Sequence, residues 1–160
     1  MALRRSTTTD FGPTSTPWST RIQPRVPDVA AIGVLDTSVI VALDSIAPEI
    51  LPEQFAVSTI SLAELAAGPH ATADPFERAV RQDRLQRVET TFEVLPFDAR
   101  AARAYGFVFA AVAALGRQPR GRRTVELLIA STAIAEGLPL YTRNATDLLG
   151  LEELLEVYVI

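Results

Sequence analysis

The sequence predicts an α/β fold in which helices cover both faces of a central parallel sheet. Short apolar runs alternate with longer stretches of helical character along the chain, as in βαβ units. The runs are apolar at successive positions, which is typical of strands buried on both faces. With 160 residues, 48% of them apolar, the chain has enough material for one domain with a sizeable core.

The elements are predicted in order from these runs. Strands are predicted at residues 32–35, 55–58, 94–95, 138–142 and 157–160. Helices are predicted over residues 39–43, 59–66, 75–91, 99–115 and 124–136. In the third helix we expect Phe76, Val80 and Val88 to face inward, with an arginine stripe on the other side.

Capping residues support the helix boundaries. Side chains that can cap an amino terminus are supplied by Asp36 with Thr37 and Ser38, by Ser58 or Thr59, and by Asp98. A proline, Pro75, stands at the first position of the third helix. Helix ends are indicated by Gly68 with Pro69, by Gly116 and by Gly137.

Residues 1–30 are predicted to be a flexible leader outside the folded domain, which we place at residues 31–160. The leader is rich in Ser, Thr and Pro and has no apolar periodicity. It also lacks the apolar core of a secretory signal, and no apolar stretch in the chain is long enough to cross a bilayer. Because the chain has no cysteine, a disulfide framework is excluded, and we expect a cytoplasmic protein.

The charge distribution argues against a general nucleic-acid coat protein. The whole chain has a net charge of −4, and residues 34–160 carry 11 arginines against 17 acidic residues. Binding of phosphates regardless of sequence needs a basic surface, so a polyanion must bind this domain locally.

Four acidic residues follow or flank apolar stretches: Asp36, Glu64, Glu126 and Asp147. In a parallel sheet the fold could bring them together in one crevice. The chain has no cysteine and one histidine, so oxygen ligands dominate, and these suit Mg²⁺ or Mn²⁺ better than zinc. The acids therefore predict metal-assisted phosphoester chemistry.

Five motifs, in this order, resemble the PIN-domain family and, within it, the VapC toxins of bacterial toxin-antitoxin pairs. They are Val34-Leu-Asp-Thr-Ser-Val-Ile, Ser61-Leu-Ala-Glu-Leu, Phe97-Asp-Ala-Arg-Ala-Ala, Glu126-Leu-Leu-Ile-Ala-Ser and Gly137-Leu-Pro-Leu-Tyr-Thr-Arg-Asn. The resemblance implies a three-layer α/β/α sandwich and an endoribonuclease that depends on Mg²⁺ or Mn²⁺ and cleaves tRNA or other structured RNA. It also implies a homodimer that a cognate VapB-like antitoxin inhibits.

The resemblance assigns roles to individual residues. Asp36 and Glu64 match the family's first two metal-binding acids, and Glu126 takes the place of a third that is usually Asp. For the fourth acid we favour Asp147, with Asn144 as a polar helper. Supporting roles are expected for Thr37 and Ser38 beside Asp36 or the scissile phosphate, and for Thr142 beside the fourth acid.

Two features leave alternatives open. If Glu126 prevents the site from binding a metal ion properly, the protein is a catalytically weakened module that binds RNA or the antitoxin. A third hypothesis, beside this module and the toxin, is a PIN-like nuclease outside toxin-antitoxin pairs. A polar loop could clamp RNA phosphates near the metal or could be merely solvated. Its arginines are Arg117, Arg120, Arg122 and Arg123.

Overall fold

A five-stranded parallel sheet organises residues 31–160, the part of the chain that this computed structural model describes. The strands are β1 Ile32–Leu35, β2 Gln54–Ser58, β3 Glu93–Leu95, β4 Leu140–Thr142 and β5 Val157–Val159, in the spatial order β3-β2-β1-β4-β5. The helices are α1 Thr37–Ala42, α2 Thr59–Ala67, α3 Pro75–Thr91, α4 Ala99–Ala114 and α5 Arg122–Glu136. All five predicted strands and all five predicted helices are confirmed, whereas the leader lies outside the described residues.

The sheet separates two hydrophobic clusters, which makes the domain a three-layer α/β/α sandwich. Successive strand residues point to opposite faces, so each central strand contributes to both clusters. One cluster combines α4 and α5 with Val34, Ala56 and Leu140. The other combines α1, α2 and α3 with Leu35, Val57 and Tyr141. Strands buried on both faces explain the continuous apolar runs in the sequence.

Register aligns the carboxyl ends of the central strands. Val34 pairs with both Ala56 of β2 and Leu140 of β4, and Leu35 pairs with Tyr141. The residues that follow these strands therefore emerge at one edge of the sheet. In parallel α/β sheets this edge is where ligands bind.

The hydrogen bonds at the helix amino termini show which acidic side chains are used in capping and which are not. Asp98 accepts hydrogen bonds from the backbone amides of Arg100 and Ala101, so its carboxylate is used in capping α4. Ser58 caps α2 by accepting from the Ser61 amide. Asp36 occupies the N-cap position of α1, yet its side chain makes no capping hydrogen bond. Its carboxylate is thus free for another purpose.

The prediction that Phe76 and Val80 face inward is wrong. Phe76 is 76% exposed and Val80 is 37% exposed, whereas Leu85 and Val88 are the buried residues of α3. At 3.6 residues per turn, Phe76 lies roughly 180° around the helix from Leu85, so one face cannot bury both. The prediction for Val88, which is 2% exposed, is confirmed. None of the helices within residues 31–160 combines the length and the apolar character that crossing a bilayer requires.

We expect Gly33→Ala to destabilise the domain. A Cβ atom at Gly33 would lie 2.4 Å from Cε2 of Tyr141 and 3.0 Å from Cγ of Pro52. The ring cannot move freely because Tyr141 is 1% exposed and stacks on Tyr158 with ring centroids 4.8 Å apart. Overpacking of this kind costs about 1–3 kcal/mol, which urea unfolding would measure.

Gly106→Ala in α4 provides the matched control, because the added Cβ would meet no atom within 4 Å apart from its chain neighbours and the backbone of its own helix. In a helix this change should stabilise by about 0.5–1 kcal/mol. Equal unfolding free energies for the two variants would contradict the close approach at Gly33.

Candidate active site

A cleft of about 310 Å³ opens at the carboxyl edge of the sheet, beside the ends of β1 and β4. It is lined by Thr37, Ser38, Val41, Glu64, Arg122, Glu126 and Arg143. Asp36 lies beneath it, directly after β1, and α2 and α5 bring Glu64 and Glu126 to its walls. Three of the four predicted acids therefore meet at one place, although they are 28 to 90 positions apart in sequence.

Asp36 is the most deeply buried of the acids, at 1% exposure. Its Oδ2 accepts hydrogen bonds from Ser38 Oγ at 2.6 Å and from Thr142 Oγ1 at 2.8 Å. Its Oδ1 is equally buried and receives no hydrogen bond from a hydroxyl or N–H group of the described residues. Two hydroxyls thus fix the orientation of a carboxylate whose second oxygen has no hydroxyl or N–H donor, an arrangement that is costly unless a cation or the proton of a neighbouring carboxyl group meets it.

Glu126 is the immediate neighbour of Asp36. It is 8% exposed, and Arg122 Nε donates to its Oε1 at 3.2 Å. Burial, the negative charge of Asp36 and a hydrogen bond between the two carboxyl groups together raise the pKa of Glu126 to about 7, while Arg122 acts in the opposite direction. Two adjacent buried carboxyl groups bind one proton readily, and a divalent cation can replace that proton.

Glu64 faces the same cleft from α2 and is half-buried. Thr37 Oγ1 donates a 2.6 Å hydrogen bond to Glu64 Oε2. The adjacent hydroxyls at the start of α1 therefore have separate partners, since Ser38 holds Asp36 while Thr37 holds Glu64. Sequence reasoning expected both hydroxyls beside Asp36 or the phosphate.

Asp147 lies on the short 3-10 helix Ala145–Leu148, beside the cleft and not on its lining. Its carboxylate accepts from Arg123 Nε at 3.1 Å and from Asn144 Nδ2 at 3.1 Å. The backbone N–H of Asn144 donates to Thr142 Oγ1, which in turn donates to Asp36 Oδ2. Asn144 thus contacts Asp147, whereas Thr142 contacts Asp36 and not Asp147.

The chemical type of the candidate ligand atoms suits a hard divalent cation. All the candidate ligand atoms are carboxylate oxygens, and the unpartnered Oδ1 of Asp36 adjoins a carboxyl group with a raised pKa. Within residues 31–160, however, no three Asp, Glu, His or Cys side chains stand close enough together to hold one ion as they are arranged. Each of the other three acids already has a partner: Thr37 contacts Glu64, Arg122 contacts Glu126 and Arg123 contacts Asp147.

Sequence reasoning did not single out Arg143 and Val41, which line the cleft. Arg143 follows β4 directly, and its amide donates to Ser38 Oγ at 3.2 Å. Its position at a strand end is the same signal that identified Asp36, so it could have been found. Val41 has no such signal because an apolar residue in a helix is usually part of the core.

Comparison with known proteins identifies the domain. The sequence model of the PIN domain family matches residues 33–146, more than two thirds of the chain. The chain belongs to the PIN-domain family. Within that family, this PIN domain is 36% identical over 117 residues to Ribonuclease VapC5 from Mycobacterium tuberculosis, an alignment that covers 71% of this chain and 84% of the relative.

Solved structures agree with this membership. The PIN domain resembles VapBC-5 from Mycobacterium tuberculosis, a member of the VapBC family of toxin-antitoxin systems, with a TM-score of 0.69, 35% identity, and coverage of 81% of this chain and 98% of that one. It also resembles VapBC2 from Rickettsia felis, solved with a DNA fragment from their promoter. That match has a TM-score of 0.64 at 24% identity, covers 81% of this chain and 98% of that chain, and supports the fold alone.

Proposed function

We propose that this PIN domain is a metal-dependent endoribonuclease toxin that a VapB-like antitoxin neutralises. The relatives support the ribonuclease and toxin-antitoxin parts, since one is named a ribonuclease and the other is a member of the toxin-antitoxin family. The observation that carries the chemistry is the buried carboxylate of Asp36, which is oriented through Oδ2 and has no hydroxyl or N–H donor at Oδ1, beside Glu126.

Asp36 and Glu126 would hold Mg²⁺ or Mn²⁺, with Glu64 and Asp147 as the further acids. A cation bound there supplies Lewis acidity toward phosphoryl oxygens and makes water a stronger acid. Ser38 and Thr142 keep Asp36 in one orientation, and Thr37 does the same for Glu64. Arg122 pairs with Glu126 and offsets part of the negative charge beside Asp36.

The substrate we propose is RNA. An RNA phosphodiester placed in the cleft would contact Thr37 and Ser38 at the amino terminus of α1. The polar loop with Arg117, Arg120, Arg122 and Arg123 remains a candidate for further phosphate contacts. We further propose a cytoplasmic protein that forms a homodimer, and exposed apolar side chains on α3 and α4 support burial against another chain. These are Phe76, Val80, Phe107 and Phe109.

Purified protein should cleave total cellular RNA into discrete products with Mg²⁺ or Mn²⁺ and should not do so in EDTA. Loss of the cation removes the Lewis acid and leaves Asp36 and Glu126 to repel each other. Gel analysis of the products with each ion would measure the requirement. Equal cleavage in EDTA would refute the metal-dependent mechanism, and re-addition of Mn²⁺ after EDTA controls for unfolding.

A second candidate is a module that binds RNA or the antitoxin with little turnover. One observation favours it: among the described residues no three acids are arranged to chelate an ion, and Glu126 replaces the usual Asp and is held by Arg122. This module would bind RNA or antitoxin with either ion yet release no cleavage products. Folded, antitoxin-free protein that binds RNA without cleaving it would select this candidate.

A further inference from the structure

The cleft beside the acids continues into a second cavity between α1, α2 and α3. This cavity has a volume of about 270 Å³ and shares Thr37, Val41 and Glu64 with the cleft. The two together form one groove, with Arg143 in one part and Arg84 in the other. Glu64 and Thr37 lie where the parts meet, so the groove passes the candidate catalytic acids on its way between the two arginines.

The guanidinium groups along this groove differ in whether they already have partners. Arg81 pairs with Glu77 and donates to the carbonyl oxygen of Gly68, and Arg122 pairs with Glu126. The side chains of Arg84 and Arg143 make no hydrogen bond or ion pair with any residue in the range 31–160.

Their surroundings leave these two arginines available to bind an anion. Arg84 is half-buried, which separates it from the exposed arginines of α3. The Arg143 side chain is exposed, but its backbone is fixed by the hydrogen bond to Ser38. A guanidinium group that has lost part of its hydration without gaining a partner is stabilised when an anion binds to it.

A phosphate backbone is the anion that matches this placement. Arginine binds phosphate through paired N–H groups, and one strand lying along the groove could present phosphates to both of its ends while another phosphate lies at the acids. Val41 and Leu65 line the part that leads to Arg84, which offers apolar contact to a ribose or base. The net negative charge of the domain requires such binding to be local.

We propose that Arg84 and Arg143 bind phosphates of a single RNA strand on opposite sides of the scissile bond. This inference rests on the proposed ribonuclease function and adds a strand path to it. It moves the main phosphate contacts away from Arg122 and Arg123, whose side chains already hold Glu126 and Asp147.

Binding measurements on Arg84→Gln and Arg143→Gln test the strand path. The probe is a mixed-sequence RNA of about 20 nucleotides, longer than the roughly 4 to 16 nucleotides that one single-strand-binding fold covers. Affinity is measured by fluorescence anisotropy over about 0.05 to 0.3 M KCl with Mg²⁺, in an Asp36→Asn background that prevents cleavage. Each variant should bind about tenfold more weakly, and the slope of log K against log salt should fall by about 0.7 per arginine.

Arg103→Gln is the matched control, since Arg103 is exposed on α4 and lines neither part of the groove. It removes the same charge and should leave the slope unchanged. Slopes for Arg84→Gln and Arg143→Gln equal to that of the control would overturn the strand path, as would weaker binding to antitoxin with unaltered binding to RNA.

Cleavage by protein with Asp36 intact separates this failure from failure of the proposed function. If that protein cleaves RNA while the two variants keep the control's slope, the ribonuclease function stands and the strand path falls. If it neither binds nor cleaves RNA with any divalent ion, both fall.

Discussion

Asp36→Asn should lower the rate of RNA cleavage by more than about 100-fold, since mutation of groups that merely orient a metal ligand already costs 10–100-fold. Asparagine keeps the size and shape of the side chain, so Ser38 and Thr142 retain a partner at that position. What is lost is the negative charge at the unpartnered Oδ1. Rates are measured on total cellular RNA with saturating Mg²⁺ or Mn²⁺.

A second readout does not depend on activity. The charge of Asp36 is one of the causes that raise the pKa of Glu126 to about 7. In the Asp36→Asn variant the pKa of Glu126 should therefore fall toward its ordinary value, which NMR of the side-chain carboxyl carbon would follow. An unchanged pKa would mean that the two carboxyl groups do not interact as the geometry indicates.

The same variant separates the two candidate functions. Toxicity on expression should disappear with Asp36→Asn if the protein is an enzyme, and should persist if the protein acts by binding. The variant should not be less stable than the original, because removing one of two adjacent buried charges relieves repulsion. Loss of activity together with a lower unfolding free energy would point to misfolding and would remove the support for a catalytic Asp36.

The layer architecture could be predicted because its determinants are local in sequence. Apolar runs buried on both faces, and helix ends such as Gly137 in a left-handed conformation, need no knowledge of distant residues. Three of the four acids could be placed in one cleft for the same reason, since Asp36 follows a strand end and Glu64 lies on the helix after the next strand. The prediction that Phe76 faces inward was wrong because helical periodicity alone does not say which face of a helix packs against the rest of the domain.

Side-chain partners could not be predicted, since they depend on contacts across the chain. Thr142 is 106 positions from the carboxylate that it orients, and Thr37 is 27 positions from the acid that it holds. Part of the difference between Arg84 and Arg81 is of the same kind, because the Gly68 carbonyl that accepts from Arg81 lies 13 positions away. The pairing of Arg81 with Glu77 is the exception, since it joins residues four positions apart on α3 and follows from the sequence.

Glu126→Gln should stabilise the cation-free protein at alkaline pH. The folded state holds the Glu126 proton with a pKa of about 7, whereas the ordinary pKa of a glutamate is 4.5. Between these values the folded state binds more protons than the unfolded state, so the free energy of unfolding falls as pH rises through this window. Glutamine cannot ionise and escapes this loss, which amounts to up to about 3 kcal/mol at 1.36 kcal/mol per pKa unit.

Urea unfolding in EDTA from about pH 5 to about pH 8 would measure the free energy of unfolding of the original protein and of Glu126→Gln. The contributions of the other titrating groups cancel in the difference between the two free energies. The two should be similar at the acid end, and the glutamine variant should be more stable at the alkaline end. Glu136→Gln, at the other end of α5 and paired with Arg100, controls for the loss of one charge. A constant difference across this range would contradict the raised pKa.

Addition of Mg²⁺ or Mn²⁺ should reverse the order of stability at alkaline pH. A cation that binds Asp36 and Glu126 must displace the proton on Glu126, so its stabilising effect grows as pH rises through about 7. The rise in Tm on adding the ion should therefore be larger at pH 8 than at pH 6 for the original protein, and small at both for Glu126→Gln. Because Tm does not depend on turnover, this pattern would locate the cation at Glu126 even if the Glu in place of the usual Asp makes the enzyme slow.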